Sequence, residues 1–367
     1  MQTLEPKPSR RFLPGVLIGS VVVVLLIGVG AAIWWRDSGG DAQGGRVAAP
    51  DGLVVRVRDR EDLSHLSEGG HEPAVLLYRL CQQQGCEWRT VFRDGRQYLL
   101  HHVTDDSLSE ELTGLSPNGR IVAVPTDAGM MFRDLVAGTM QPAGSLRRYQ
   151  GGGNGTRRAW SDDGRWLVHY NGYNLGIMVD TVTGEPHRLP ENLGDITIVG
   201  VTRDGRLLTI APPKADARGI GVAVAGVDDL DRAEYRTVDL SGVLKARENL
   251  TDGRDGHVEA YASPDSTRIA VTVRRTDDDP GDVRWRMTAV LIIDLASGTV
   301  VKRHDVAPDT TVACGWDATG VQVLTGHPAD PDTGGNQVAV HWLDPWTGEE
   351  RARATIRGEA RKLSLRC

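Results

Sequence analysis

One hairpin signature recurs along this chain and limits what it can fold into more than any other feature. An Asp-Gly-type turn opens a short apolar strand, and an Asp-x-x-x-Gly turn closes the next one. The clearest copy reads Trp160-Ser-Asp-Asp-Gly-Arg-Trp-Leu-Val-His169 and then Ile177-Met-Val-Asp-Thr-Val-Thr-Gly184. Asp-Gly and Asn-Gly pairs tolerate the positive φ that tight hairpins demand, so the pattern has a mechanism. Repeats of roughly 40–60 residues, each a small sheet unable to bury both faces alone, predict a closed ring of stacked sheets. The expected fold is all-β, a six-bladed β-propeller, with seven blades as the alternative.

The first turn can be matched at Ser116-Pro-Asn-Gly119, Ser161-Asp-Asp-Gly164, Thr202-Arg-Asp-Gly205, Ser263-Pro-Asp-Ser266 and Asp317-Ala-Thr-Gly320. The second turn stands at Asp134, Asp180, Asp294 and Asp344, each with Gly four residues on, and is blurred at Val227-Asp-Asp-Leu-Asp231. A sixth unit is half present. Ala74 to Leu80 and Trp88 to Phe92 match the third and fourth strands of a repeat. The C-terminal Lys362 to Arg366 would supply its inner strand, with Leu53 to Arg58 beside it. Joining the two chain ends in one sheet removes the edges that an open array would expose.

Ahead of the repeats, Leu13 to Trp35 carries no charged side chain. As a helix these residues would span about 35 Å, against a hydrocarbon core of about 30 Å. Lys7, Arg10 and Arg11 precede the run, and the basic excess predicts a cytoplasmic N-terminus. The expectation is therefore a single-pass plasma-membrane protein. Residues 1–12 form a cytoplasmic tail too short for a signalling domain, 13–35 a transmembrane signal-anchor helix, 36–52 a flexible linker, and 53–367 an extracytoplasmic propeller. A cleaved signal peptide ending near Val29-Gly-Ala31 is the rival. The long apolar core and the interfacial Trp34-Trp35 favour retention. Beyond Asp37 there are 38 basic and 47 acidic residues, a balance that gives no footprint for nucleic acid. Arg outnumbers Lys 37 to 5, the bias of a high-GC bacterial gene.

Leu115-Ser-Pro-Asn-Gly-Arg-Ile121, the Trp160 copy and Ala262-Ser-Pro-Asp-Ser-Thr-Arg-Ile269 resemble the WD40-like (PD40) repeat of TolB-type β-propellers. The resemblance covers roughly Ser109 to Ile356. It implies an extracytoplasmic binding platform in an envelope assembly, with partners on one face or at the central channel. TolB proteins carry a further N-terminal α/β domain, whereas only about 15 residues separate the expected anchor from the first expected strand here, a departure from that pattern. Only the propeller is carried over.

Candidate chemistry is sparse. Aligned on the second turn, Cys81 takes the place of the turn-capping Asp and Cys86 follows the turn Gly, which predicts a disulfide across a tight hairpin. Cys314 in the last inner strand and Cys367 at the chain end could form a second bond that locks the ring. Asp277, Asp278, Asp279 and Asp282 cluster oxygen ligands that could hold Ca²⁺, although a solvated loop is the expected role. Asn154, Arg157 and Arg158 follow a Gly-rich stretch and could cradle an anion at the mouth of the ring, against the plainer role of interblade linker. His101, His102, His169, His187, His257 and His341 are scattered, and neither a metalloprotease nor a nucleophile-turn motif occurs. No cofactor is expected. The predicted function is a membrane-anchored scaffold that holds a protein, peptide or cell-wall partner on a propeller face. The alternative is a propeller hydrolase or lyase with a channel-centred active site.

Overall fold

The computed structural model describes residues 52–366, apart from 58–59, 68, 83–84, 101–112, 127–128, 144–156, 172–174, 192, 194–195, 212–218, 251–257, 277–284, 308–309, 318–319, 328–335 and 359–361. Six sheets, antiparallel except for one parallel outer strand in blade six, make six blades, so the six-bladed expectation holds over the seven-bladed one. From the channel outward, blade two runs Gly114–Leu115, Ile121–Thr126, Gly129–Asp134 and Thr139–Ala143. Blade three runs Arg157–Trp160, Trp166–Asn171, Leu175–Asp180 and Pro186–Arg188. Blade four runs Thr197–Val201, Leu207–Ala211, Gly219–Ala225 and Arg236–Asp239. In blade five, Ala260–Ala262 and Glu248–Asn249 both pair with Arg268–Thr276, followed by Trp285–Asp294 and Thr299–Asp305. Blade six holds Thr310–Asp317, Gly320–His327, Asn336–Leu343 and Glu350–Gly358. Large apolar clusters lie between blades, such as Leu208, Ile210 and Val222 with Ile269, Val271 and Leu291.

Blade one closes the ring with Lys362–Arg366 as its inner strand, antiparallel to Ala74–Gln82. Its other strands correct the sequence-based assignment. Ala74–Gln82 and Gly85–Phe92 are the second and third strands, and Gln97–Leu99 is the fourth. The overlooked second turn is Asp94-Gly95, where Gly95 has φ 82°. Cys81-x-x-x-Gly85 imitates that turn's spacing but is the hairpin at the opposite end of the blade. Leu53–Arg56 does not join blade one either. It runs parallel to Glu350–Gly358 as a fifth, outer strand of blade six. There Val55 packs with Tyr78, Leu80 and Ile356, and the Arg56 carbonyl accepts a 2.8 Å hydrogen bond from Gln97. The blurred turn of blade four is a short 3-10 helix, Val227–Arg232.

The turn signature now has a bonding explanation. The Ser116, Ser161 and Ser263 hydroxyls donate to the Asx two residues on, at 2.6–2.7 Å. Each also accepts the N–H that starts the next strand, at 2.8–2.9 Å. At the second turn one carboxylate oxygen of Asp134, Asp180 and Asp344 accepts two backbone N–H groups. The other oxygen of Asp134 and Asp180 takes the Arg that follows the first-turn Gly, Arg120 and Arg165. Those backbone bonds hold the Asp344 carboxyl below the usual carboxylate range.

The turns also seat each blade on its predecessor. Gly119 has φ 68° and lies against the Ala74 carbonyl of blade one, which a Cβ would overlap. Its own carbonyl accepts a 2.8 Å bond from Ala74 N. Gly119→Ala is expected to cost on the order of 2 kcal/mol, from left-handed strain and a displaced blade contact. A urea unfolding midpoint equal to that of the unmodified protein would contradict this account.

Candidate functional site

Both sets of turns lie on one face of the ring, the turn face. Inner strands begin on the other, the loop face, which also carries the Cys81–Cys86 hairpin. That disulfide is present, with the two residues directly opposite in the ladder and Cα atoms 4.0 Å apart. Cys314 lies in the inner strand of blade six, but its side chain and Cys367 fall outside the described residues. The same is true of Asn154 and of Asp277, Asp278, Asp279 and Asp282. Among the described residues no group of three or more His, Cys, Asp or Glu could hold a metal ion. Leu13 to Trp35 also lies outside, and no described helix is long and apolar enough to cross a membrane.

Arg157 and Arg158 open the inner strand of blade three, opposite Tyr170 and His169 in the ladder. Neighbours on a strand point to opposite faces, so the two arginines serve different seams. Arg157 donates to the Val258 carbonyl of blade five at 3.3 Å, reaching past blade four. Arg158 donates to the Thr113 carbonyl of blade two. Just beyond Val258, Glu259 is ion-paired with Arg274 and accepts a 3.3 Å bond from the Tyr261 hydroxyl. Blades two, three and five thus meet in one polar cluster at the mouth of the ring.

Burial sets the proton affinities here. It raises the Tyr261 hydroxyl well above its ordinary value, with the Glu259 charge adding to the effect. Burial likewise raises Tyr170 to about 12. The Tyr170 hydroxyl accepts from Ile198 N at 2.9 Å and lies 3.1 Å from the Ile198 carbonyl, clasping blade four. For His169, burial and then the Arg158 charge lower the pKa to about 4, so the ring is neutral in ordinary buffers.

The arginine pair was legible in the sequence, whereas Glu259, Tyr261, Arg274 and Thr113 were missed. A signal existed. Four residues before the first turn, blades two to six carry Leu112, Arg157, Ile198, Glu259 and Ala313, so among these five only blades three and five place a charge there. A separate cleft of about 490 Å³ opens at the rim of blade one, lined by Gly70, His71, Glu72, Phe92, Asp94, Arg96 and Tyr98. Its charged groups are mutually paired and exposed, Arg96 with Asp94 and with Glu72. Such pairs contribute little on their own.

No family model matches the chain, and no curated protein matches it in sequence. Solved propellers do. The oligogalacturonate lyase of Vibrio parahaemolyticus is 12% identical with a TM-score of 0.44, over 83% of this chain and 78% of that one. A TolB-like protein of Agrobacterium tumefaciens is 13% identical with a TM-score of 0.37, over 78% and 90%. At such values no activity is taken from either, and the fold rests on the strand pairing described above.

Proposed function

We propose that the chain is a membrane-tethered, extracytoplasmic β-propeller acting as a binding scaffold in a bacterial cell envelope, and that its partner docks on the loop face. The observation that carries this reading is the cross-blade cluster at the mouth. Arg157, Arg158, Glu259, Tyr261 and Arg274 come from two blades and bond to a third, which fixes them as a patterned hydrogen-bonding surface. The turn face, by contrast, spends its Ser and Asp side chains on its own turns. A hydrolase or lyase would need an acid–base pair poised for proton transfer. Here His169 is held neutral and Glu259 is tied to Arg274, an arrangement better suited to recognition.

The tether rests on Leu13 to Trp35 and the preceding Lys7, Arg10 and Arg11. The partner is a protein, peptide or cell-wall polymer, and the acidic balance disfavours nucleic acid. Crosslinking on intact cells, followed by mass spectrometry, should recover one specific envelope component. Arg157→Glu should reduce its capture about tenfold. Recovery of no specific component, or undiminished capture by the variant, would reject the docking face. Washing without detergent should leave the protein in the membrane pellet, and a soluble form beginning near Ala32 would refute the tether.

A further inference from the structure

Blade one is built differently from its neighbours, and the difference leaves an opening at the rim. In blades two and three an arginine that follows the first turn, Arg120 or Arg165, closes over the second-turn Asp134 or Asp180. The inner and second strands of blade one, Lys362–Arg366 and Ala74–Gln82, come from opposite ends of the chain, so no such turn joins them. Gly70, His71 and Glu72 lead into the second strand instead. The cleft of about 490 Å³ lies between these residues and the second turn at Asp94. Its size is that of a small-molecule site, ~300–1,000 Å³.

One wall is held in place by blade two. Gly70 lies so close to the Val136 carbonyl that a Cβ would overlap it, and His71 N donates to the Leu135 carbonyl at 2.6 Å. The His71, Phe92 and Tyr98 rings touch one another, with centroids 5.5–5.7 Å apart. His71 and Tyr98 are partly exposed, so the cleft has an aromatic side. Glu72, Asp94 and Arg96 bring exposed polar groups to the same space.

The ligand class follows from this lining. Arg96 bonds Asp94 through Nε, and its other nitrogens meet Glu72 at 3.5 Å and the Tyr98 hydroxyl at 3.4 Å. A guanidinium has five N–H donors and a carboxylate about four acceptor sites. The trio therefore offers donors and acceptors together to whatever replaces its water. An anion would face two carboxylates, and a cation would face Arg96 and use the acceptors alone. An apolar ligand would strip water from three charges and return no bond. Sugar hydroxyls both donate and accept, and the C–H face of a sugar ring can lie on an aromatic side chain.

We propose that the cleft between Gly70–Glu72 and the second turn of blade one binds a neutral carbohydrate, with Glu72, Asp94 and Arg96 bonding its hydroxyls beside Tyr98 and His71. The site lies on the rim of the turn face and goes beyond the loop-face docking reading.

Saturation-transfer NMR on the full-length protein tests this, with the N-acetylglucosamine disaccharide as the probe and trilysine as the control. Transfer to the sugar C–H protons that saturates as sugar is added is expected. Glu72→Ala and Arg96→Ala each remove an exposed side chain whose ion pairs add little stability. The melting temperature should therefore hold in both, while sugar affinity falls about tenfold. No transfer to the sugar, undiminished affinity in either variant, or transfer to trilysine alone would overturn the proposal. Arg157→Glu, on the other face, should leave the sugar signal intact, so a failure here is distinguishable from failure of the scaffold reading.

Discussion

A chain ending at residue 361 is expected to lose its cooperative unfolding transition. Lys362–Arg366 pairs residue for residue with Leu77 to Cys81, and Leu77, Tyr78 and Leu80 on that strand are fully buried. Removing the strand strips about five ladder bonds at roughly 1 kcal/mol each, a sum comparable with the whole stability of many domains. It also bares an unpaired strand edge beside an apolar seam, which invites association between copies. Circular dichroism during urea titration should show a broad, early transition, and size-exclusion chromatography should show aggregates. A sharp transition at the full-length midpoint would mean that the ring does not depend on this closure.

The second large effect is expected in blade five. Arg303 grips both oxygens of the Glu248 carboxylate at 2.8 Å, and the Glu248 side chain is only 4% exposed. Lys245 N and Thr288 Oγ1 complete the carboxylate shell at 2.7 and 3.0 Å. Arg303 also donates to the Val243 carbonyl at 3.0 Å, so the pair pins residues 243–249 to the outer strand. Arg303→Met leaves a buried carboxylate without its cation and should cost about 3–5 kcal/mol. Glu248→Leu combined with Arg303→Met removes both charges and should recover much of that loss. If the double variant is no more stable than the single one, the pair is not the source of the cost.

The same pair sets an acid limit. Burial raises the Glu248 carboxyl, but hydrogen bonds from Arg303, Lys245 N and Thr288 outweigh it and leave the pKa below the ordinary value. A group depressed in the folded state stabilises fully above its unfolded pKa, about 4.3 for Glu, and loses that contribution as pH falls through the folded value. Stability of the unmodified protein should therefore fall more steeply below about pH 4.3 than that of Glu248→Gln. Urea midpoints measured across that range decide the matter, and parallel slopes would remove Glu248 from the account.

Much of the blade pattern was readable because its bonds are local. Ser161 reaches Asp163 and Trp166 N, and Asp180 reaches Val182 N and Thr183 N, all within five residues. Blade one was misread where that locality failed. Its inner strand comes from the far end of the chain, and its Cys81–Cys86 hairpin copies the spacing of a second turn without its bonds. In the candidate site, Arg157 and Arg158 stood out as an adjacent charged pair. Thr113, His169 and Glu259 looked ordinary until the ladder set them beside the arginines.

Turn chemistry, written in runs of four or five residues, was enough by itself to predict a ring of small sheets, and the spacing of Cys81 and Cys86 was enough to predict their bond across a tight hairpin; the strand pairing decided for six blades over seven. Only the tertiary structure decided where Leu53–Arg56 pairs, which strands make blade one, and which side chains meet at the mouth. The reason is distance along the chain. Asn118 bonds the Asp163 carbonyl 45 residues away, and Arg157 bonds that of Val258 101 residues away. Such partners are set by the angle between neighbouring blades, which no short stretch of sequence encodes.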